Sequence, residues 1–293
     1  MAEREASYLR ALAPFGAEIS IAHLSRAVFA QLPSWTRKYR LLILHGLGEL
    51  SSDELLRLAS AIGEPMSQGT SLIVDIREID NQFESFLFSS APVPLHYDGA
   101  LGSQAPDLVM LRCHRSSLRG GGGEGLYVDT VRSFQLLAEE TKETLRASTV
   151  IYQLSDGSAR TIPLIARDMY STFETIRLVA NIADDGWRND SIEIAARDQS
   201  GRDVTSTLLS LVEQLSTPVH CYTHIWSAGD IVLVNNHAIL HGRRSFPAGA
   251  GRHLQRVHIR CNDAITSKLS HSNFNHPERN YELQKGLEGT DNG

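Results

Sequence analysis

Residues 220–260 read HCYTHIWSAGDIVLVNNHAILHGRRSFPAGAGRHLQRVHIR, and this stretch decides the fold. Three runs in it, His220–Trp226, Ile231–Val234 and Arg252–Arg260, are short and rich in β-branched, aromatic and aliphatic residues. The turn formers Ala228-Gly229-Asp230 and Pro247–Gly251 separate them. Such runs, joined by tight turns, belong to an antiparallel sheet. Working back towards the N-terminus, similar runs recur at Leu126–Val128, Leu108–Cys113, Phe83–Phe88, Leu72–Ile76 and Leu41–His45. Helical patterns interrupt them at three places. Ser51 and Glu54 have capping-box spacing ahead of Leu55, Leu58, Ala59 and Ile62, and Gly63 with Pro65 supplies the stop. Val131–Arg146 reads as one helix, and Val204–Leu215 carries an apolar stripe of Leu208, Leu209, Val212 and Leu215. Many short strands with a few added helices predict a mainly β jelly-roll barrel.

The chain has 293 residues, 42% of them hydrophobic and 21% charged, with no internal repeat and no low-complexity linker. One domain over residues 1–293 is the expectation, with a polar tail from about residue 268 that lacks apolar periodicity. A net charge of -6 argues against a nucleic-acid binder, which concentrates Lys and Arg on one face. A small-molecule substrate is the better expectation. Cys113, Cys221 and Cys261 are too few and too far apart for a disulfide framework, which fits a reducing compartment. No run approaches the roughly 20 apolar residues of a membrane span, and no signal peptide is evident, so a cytoplasmic protein without membrane contact is expected. A homo-oligomer stays open. Gly120–Gly123 lacks the Lys-Ser/Thr pair of a phosphate loop and reads as a flexible loop.

Two of the twelve histidines ask for a chemical explanation. In Val93-Pro-Leu-His-Tyr-Asp-Gly99, alternation along an extended chain points His96 and Asp98 to one side, with Tyr97 opposite. His241 stands at the end of an apolar run, before what reads as a Gly turn at Gly242. Two imidazoles and one carboxylate form the facial triad of non-haem Fe(II) oxygenases, whose open coordination positions admit a 2-oxo acid and O2. In Arg252-His-Leu-Gln-Arg-Val-His-Ile-Arg260, residues 252, 254, 256, 258 and 260 share a face. A guanidinium fork on that face suits a carboxylate, because it gives two charge-assisted hydrogen bonds and keeps its charge.

These pieces together resemble the TauD/TfdA family of Fe(II)/2-oxoglutarate dioxygenases. The matching blocks are His96-Tyr-Asp98, Ser227-Ala-Gly-Asp230, Asn236, Leu240-His-Gly-Arg243, Phe246, and Arg252 eleven positions after His241. The resemblance implies a double-stranded β-helix oxygenase core, with His96, Asp98 and His241 as catalytic iron ligands and Arg252 as the 2-oxoglutarate anchor. It implies O2 as a second co-substrate. Asp98 favours hydroxylation, desaturation or oxidative decarboxylation over halogenation, since the family's halogenases carry a small residue there. The blocks around Val93 and Arg252 are also similar to the branch that acts on amino-acid-derived isonitriles, the PvcB-like oxygenases, which implies a small carboxylate-bearing natural-product intermediate as substrate. Two departures stand out: Gly125 occupies the place where many members have a Thr that hydrogen-bonds 2-oxoglutarate, and Asn235 replaces the common Asp before Asn236.

Arg256 and Tyr97 are the candidate substrate contacts. Arg256 either meets a second anion, the substrate's, or pairs with a buried Asp or Glu, because an inward guanidinium without an anion is costly. Tyr97, Trp226 and Phe246 are candidates for a pocket wall, with core packing as the alternative. Arg243 and Arg244 read as a solvated turn or a salt-bridge site. The remaining histidines, including His45, His224 and His237, read as packed or solvated, with His258 set apart only because it shares the Arg252 face. A zinc-dependent hydrolase with the same ligands, or a non-catalytic cupin-like binding protein, are the rival readings. Zinc hydrolysis needs a general base for its water, and neither histidine motif offers a neighbouring Glu.

Overall fold

A computed structural model describes residues 9–261 except 21–25, 80–87, 103, 118–120, 168–171, 184–185, 187 and 191. The expected strand from Phe83, all but Phe88, and the polar tail lie outside the described residues. Two antiparallel sheets face each other. The larger contains, in spatial order, β1 (Arg10–Ala11), β2 (Ala17–Ser20), β3 (Leu41–His45), β15 (Ile231–Asn235), β7 (Leu108–Arg115), β17 (His253–Arg260) and β4 (Glu64–Met66), with β5 (Val74–Arg77) also on β17. Among the described residues only the β2–β3 pair is parallel. The smaller sheet runs β14 (Cys221–His224), β8 (Gly125–Asp129), β16 (Ile239–Arg243), β6 (Val93–His96). This is the jelly-roll arrangement.

The apolar runs of the larger sheet are buried on both faces, and the period of two divides them between two cores. On β3, Leu42 and Leu44 pack outward, with Leu55, Leu58, Ala59 and Ile62 of the helix Ser52–Ile62 and with Leu32 and Trp35 of the helix Leu32–Tyr39. Leu41 and Ile43 point inward, joining Val109, Leu111, Val232, Val234 and Leu254 against Tyr127 and Ile239 of the smaller sheet. A fully buried Leu, Ile or Val contributes about 1.5–3 kcal/mol, so these layers fix which face of each strand meets the barrel interior. The capping box of the helix Ser52–Ile62 is complete: the Glu54 amide donates to the Ser51 hydroxyl at 3.3 Å and the Ser51 amide to the Glu54 carboxylate at 2.8 Å.

A third core lies behind the smaller sheet. There Leu126 and Val128 of β8 and Leu240 of β16 pack with the helix Thr205–Leu215 and a separate sheet of β10 (Ala159–Pro163), β9 (Ser148–Leu154) and β13 (Ile192–Asp198). Sequence periodicity does not foresee that sheet, nor the pair β11 (Ile165–Arg167) and β12 (Glu174–Ile176). The apolar stripe of Thr205–Leu215 is Leu208, Leu211, Val212 and Leu215; Leu211 replaces Leu209, which is only half-buried. The expected helix Val131–Arg146 is two helices, Thr130–Leu136 and Glu139–Arg146. Leu137 leaves the helical path to bury its side chain while its amide donates to Phe134 O at 3.2 Å, so tertiary burial breaks a sequence without Gly or Pro.

Candidate active site

The smaller sheet assembles the site by cross-strand pairing. His96 on β6 lies directly opposite His241 on β16, and His241 lies opposite Tyr127 on β8. Pro94 is tolerated because β6 is an edge strand of this sheet, and its carbonyl accepts the His96 Nδ1 proton at 2.9 Å. That bond fixes the tautomer and leaves the Nε2 lone pair facing inward. Asp98 follows the strand and is pinned by Asn236, whose amide oxygen takes the Asp98 N–H at 2.9 Å while its amide nitrogen donates to the carbonyls of Asp98 and Pro106, each at 2.9 Å.

His96 Nε2 and His241 Nε2 then stand 3.6 and 3.9 Å from one Asp98 oxygen, and the three donor atoms lie within 4.8 Å of one another. These separations are too long for hydrogen bonds and suit three donors sharing one ion. Burial pushes His241 down to about 3, with the nearby His96 adding to it, so its ring is neutral and carries a free lone pair. Its Nδ1 is buried without a partner. Burial alone would raise Asp98, but the Arg256 guanidinium, then His258, His96 and His241, hold its carboxyl well below the usual carboxylate range. The residues therefore fit a divalent cation, and the donor set of two imidazoles and one carboxylate is that of a non-haem iron oxygenase.

Gly242 sits inside β16 at a register shift between His241 and Arg243, not at a turn. A Cβ there would come within 2.7 Å of Val93 O, so only glycine lets β6 approach closely enough to bring His96 to His241. Arg243 is correspondingly buried rather than solvated: it donates to the carbonyls of Ser89, at 2.8 Å, and Ala91, and lies over the Phe246 ring. Within the loop of the glycine run, Gly123 is anchored. Gly123 N–H donates to Ser245 O at 2.9 Å, and its carbonyl accepts from Arg252 Nε at 3.1 Å.

Arg252 is buried, with its guanidinium carbon 5.5 Å from the centre of Phe246. Among the described residues no carboxylate pairs with it, and burial lowers its pKa to about 10. A buried cation held by one carbonyl is prepared for an anion. Arg256 is differently engaged: Nη1 donates to both Asp98 oxygens, at 3.0 and 3.2 Å, while Nε and Nη2 hold Gln68 Oε1 at 3.1 and 2.8 Å. His258 Nε2 completes the Asp98 cage at 2.8 Å. Asn236 and His258 support Asp98 from 138 and 160 positions away, and Gln68 holds Arg256 from 188 positions away; Asn236 stands in a family block and His258 on the Arg252 face, whereas no short-range pattern reveals Gln68. His237 pairs instead with Asp107 at 2.9 Å.

The triad and Arg252 open onto a cavity of about 510 Å³. Tyr97 lines it, with Arg177 stacked 3.5 Å from its ring centre. Apolar side chains from Leu101, Val179, Ile192 and Trp226 make up much of the remaining wall, and no glutamate lines it among the described residues. The segment bearing Val179 and Ala180 is suspended between the sheets: Val179 N–H donates to the Tyr152 hydroxyl at 2.8 Å and Ala180 N–H to Leu95 O at 2.7 Å.

Fold and site thus define a 2-oxo-acid-dependent non-haem iron oxygenase. The model of the "Taurine catabolism dioxygenase TauD, TfdA family" matches residues 9–258, and the chain belongs to that family. It is 28% identical over 259 residues to a 3-((Z)-2-isocyanoethenyl)-1H-indole synthase of Fischerella ambigua, covering 86% of this chain and 94% of the relative. It is also 28% identical over 258 residues to a tyrosine isonitrile desaturase of Erwinia amylovora, covering 84% and 87%. Among solved structures it is similar to PvcB, an Fe, alpha-ketoglutarate dependent oxygenase from an isonitrile synthetic pathway, with 25% identity, a TM-score of 0.66 and coverage of 84% and 86%. No helix among the described residues is long and apolar enough to cross a membrane.

Proposed function

We propose that this enzyme oxidises a small carboxylate-bearing isonitrile derived from an amino acid, by desaturation or oxidative decarboxylation. In this reading His96, Asp98 and His241 hold Fe(II), and Arg252 receives the distal carboxylate of 2-oxoglutarate. The metal with its co-substrate and O2 supplies the oxidising power that removes substrate hydrogen, at the cost of 2-oxoglutarate going to succinate and CO2. The observation that carries the reading is the pairing of an unpaired buried Arg252 with an otherwise apolar cavity beside the triad. One end of the site is prepared for a charged co-substrate. The wall of Leu101, Val179, Ile192 and Trp226 is prepared for an uncharged, largely apolar body.

Tyr97 contributes to that wall. Arg256 neutralises Asp98 in the absence of metal; once a divalent cation shares the Asp98 charge, its guanidinium serves the substrate's carboxylate at the edge of the triad. The names of the relatives support an isonitrile as the group beside it. We place the protein in the cytoplasm, as cysteines so few and so far apart in sequence suit a reducing compartment.

The test is succinate release by the Fe(II)-loaded enzyme with the isonitriles of tyrosine and tryptophan, each compared with its parent amino acid. Isonitrile-dependent succinate, matched by product lighter by two hydrogens or by CO2 together with two hydrogens, supports the reading. Equal stimulation by the parent amino acids contradicts it.

A further inference from the structure

We infer that Tyr127 is a co-substrate contact, its hydroxyl donating to the distal carboxylate of the 2-oxo acid beside Arg252. The inference rests on the 2-oxoglutarate reading above and adds a residue to it. The first observation is register. On β8, Gly125 and Tyr127 share a face; Gly125 lies opposite Arg243 and Tyr127 opposite the metal-ligand candidate His241. The phenol therefore starts from the metal side and must lean along the strand to find space.

The second observation shows where it leans. A Cβ placed on Gly125 would lie 2.9 Å from both Cε2 and the hydroxyl oxygen of Tyr127. The ring has taken the volume that a side chain at 125 would use, and its hydroxyl stands where a hydroxyl-bearing residue at 125 would offer one. Gly125 is in this sense the permissive half of a pair. Any larger residue there evicts the phenol.

The third observation is electrostatic and concerns satisfaction of the hydroxyl. Tyr127 is 1% exposed, lines the cavity, and lies within charge range of Arg252. Its hydroxyl makes no hydrogen bond to any described residue. Were core packing its only role, phenylalanine would fill the same volume, and packing gives the hydroxyl nothing to bond. A phenol and a guanidinium that face one cavity without an anion are together a seat for a carboxylate, and the hydrogen bond to a charged group is the strong kind.

The experiment measures anaerobic dissociation constants of two 2-oxo acids for the Fe(II)-loaded protein, wild type and Tyr127→Phe. One acid is 2-oxoglutarate and the other is 2-oxopentanoate, which has the same metal-binding end and no distal carboxylate. We expect Tyr127→Phe to weaken 2-oxoglutarate by about 10- to 100-fold and leave 2-oxopentanoate unchanged, with Fe(II) affinity intact. An equal loss for both acids assigns Tyr127 to packing and overturns the inference, as does no loss for either. A wild-type protein with no preference for 2-oxoglutarate overturns the co-substrate reading and the inference with it. Gly125→Leu provides a second arm: displacing the phenol should lower the preference for 2-oxoglutarate in the same direction, and a retained preference speaks against the hydroxyl.

Discussion

The two sides of the cavity are built on different physics. On the side formed by β6, β8, β16 and β17, the groups around Asp98 and His96 have assigned partners: Asn236 fixes the Asp98 backbone, Arg256 and His258 its carboxylate, Pro94 the His96 tautomer. On the other side, Val179, Ala180 and Ile192 arrive from the 148–198 region and contribute shape. Two hydrogen bonds, one to the Tyr152 hydroxyl and one to Leu95 O, hold that segment in place. The charged side demands particular atoms at particular distances, whereas the apolar side demands volume, and many sequences supply the same volume. One side can thus stay fixed while the other changes with the substrate.

That contrast can be broken from either side. The largest effect should come from Asp98→Ala, which removes the one carboxylate of the proposed triad and leaves Arg256 and His258 facing each other. Fe(II) affinity should fall by more than about 100-fold, beyond the loss seen when a ligand's supporting residue is removed. Succinate formation should vanish with it. Metal analysis and a succinate assay check this; wild-type succinate formation would rule out the triad.

Arg252→Ala comes next. Fe(II) binding should persist, while 2-oxoglutarate affinity drops by on the order of 2 to 5 kcal/mol, the range for losing a charge-assisted pair in a partly dry site. Anaerobic titration of the metal-loaded variant decides; an unchanged affinity moves the carboxylate elsewhere.

On the apolar side, Val179→Phe should spare both affinities. It should cut substrate-dependent turnover by more than about 10-fold, since even one misplaced methylene in a pocket costs that much, and leave slow substrate-independent 2-oxoglutarate decarboxylation in place. Loss of both rates together would show that the wall and the charged side are not separable.

The smallest effect belongs to neither side. His45 Nδ1 meets Asp230 at 2.9 Å and its Nε2 meets Glu18 at 3.1 Å, joining β2, β3 and the turn before β15. The Asp230 hydrogen bond raises the His45 pKa above its ordinary 6.5, against a smaller opposing effect of burial. Because the folded pKa is the higher one, the stabilisation is fully present below about pH 6.5 and is lost as pH rises through the raised value. His45→Gln should therefore lower Tm by about 2 °C at pH 6 and by less at pH 9, since the imidazole is over a third exposed. Thermal melts at the two pH values, beside an unchanged 2-oxoglutarate affinity, check it.

How much the sequence reveals follows the same division. The alternation in Arg252–Arg260 places Arg252, Leu254, Arg256 and His258 on one face, and the structure puts Arg252, Leu254 and Arg256 on the cavity and His258 on Asp98. The run Leu41–His45 and the capping box at Ser51 also read directly, because their signals are local. Tyr127 does not: a buried aromatic on a strand reads as core, and its different position depends on pairing β8 with β16, more than a hundred residues later. Gly242 misleads for a related reason, since glycine's turn preference and its use at a close strand approach look alike in one dimension. The three-stranded sheet of β9, β10 and β13 is hidden because β10 is largely exposed and β13 is mostly half-buried, which blurs the period-two pattern.

His96, Asp98 and His241 are proposed to present one Fe(II) to a 2-oxo acid anchored by Arg252. Anaerobic titration of the Fe(II)-loaded protein with 2-oxoglutarate tests it most directly. We expect a weak visible charge-transfer band that saturates at one 2-oxoglutarate per chain in the wild type and is absent in Asp98→Ala. A wild-type protein that binds Fe(II) and yields no such band would contradict it.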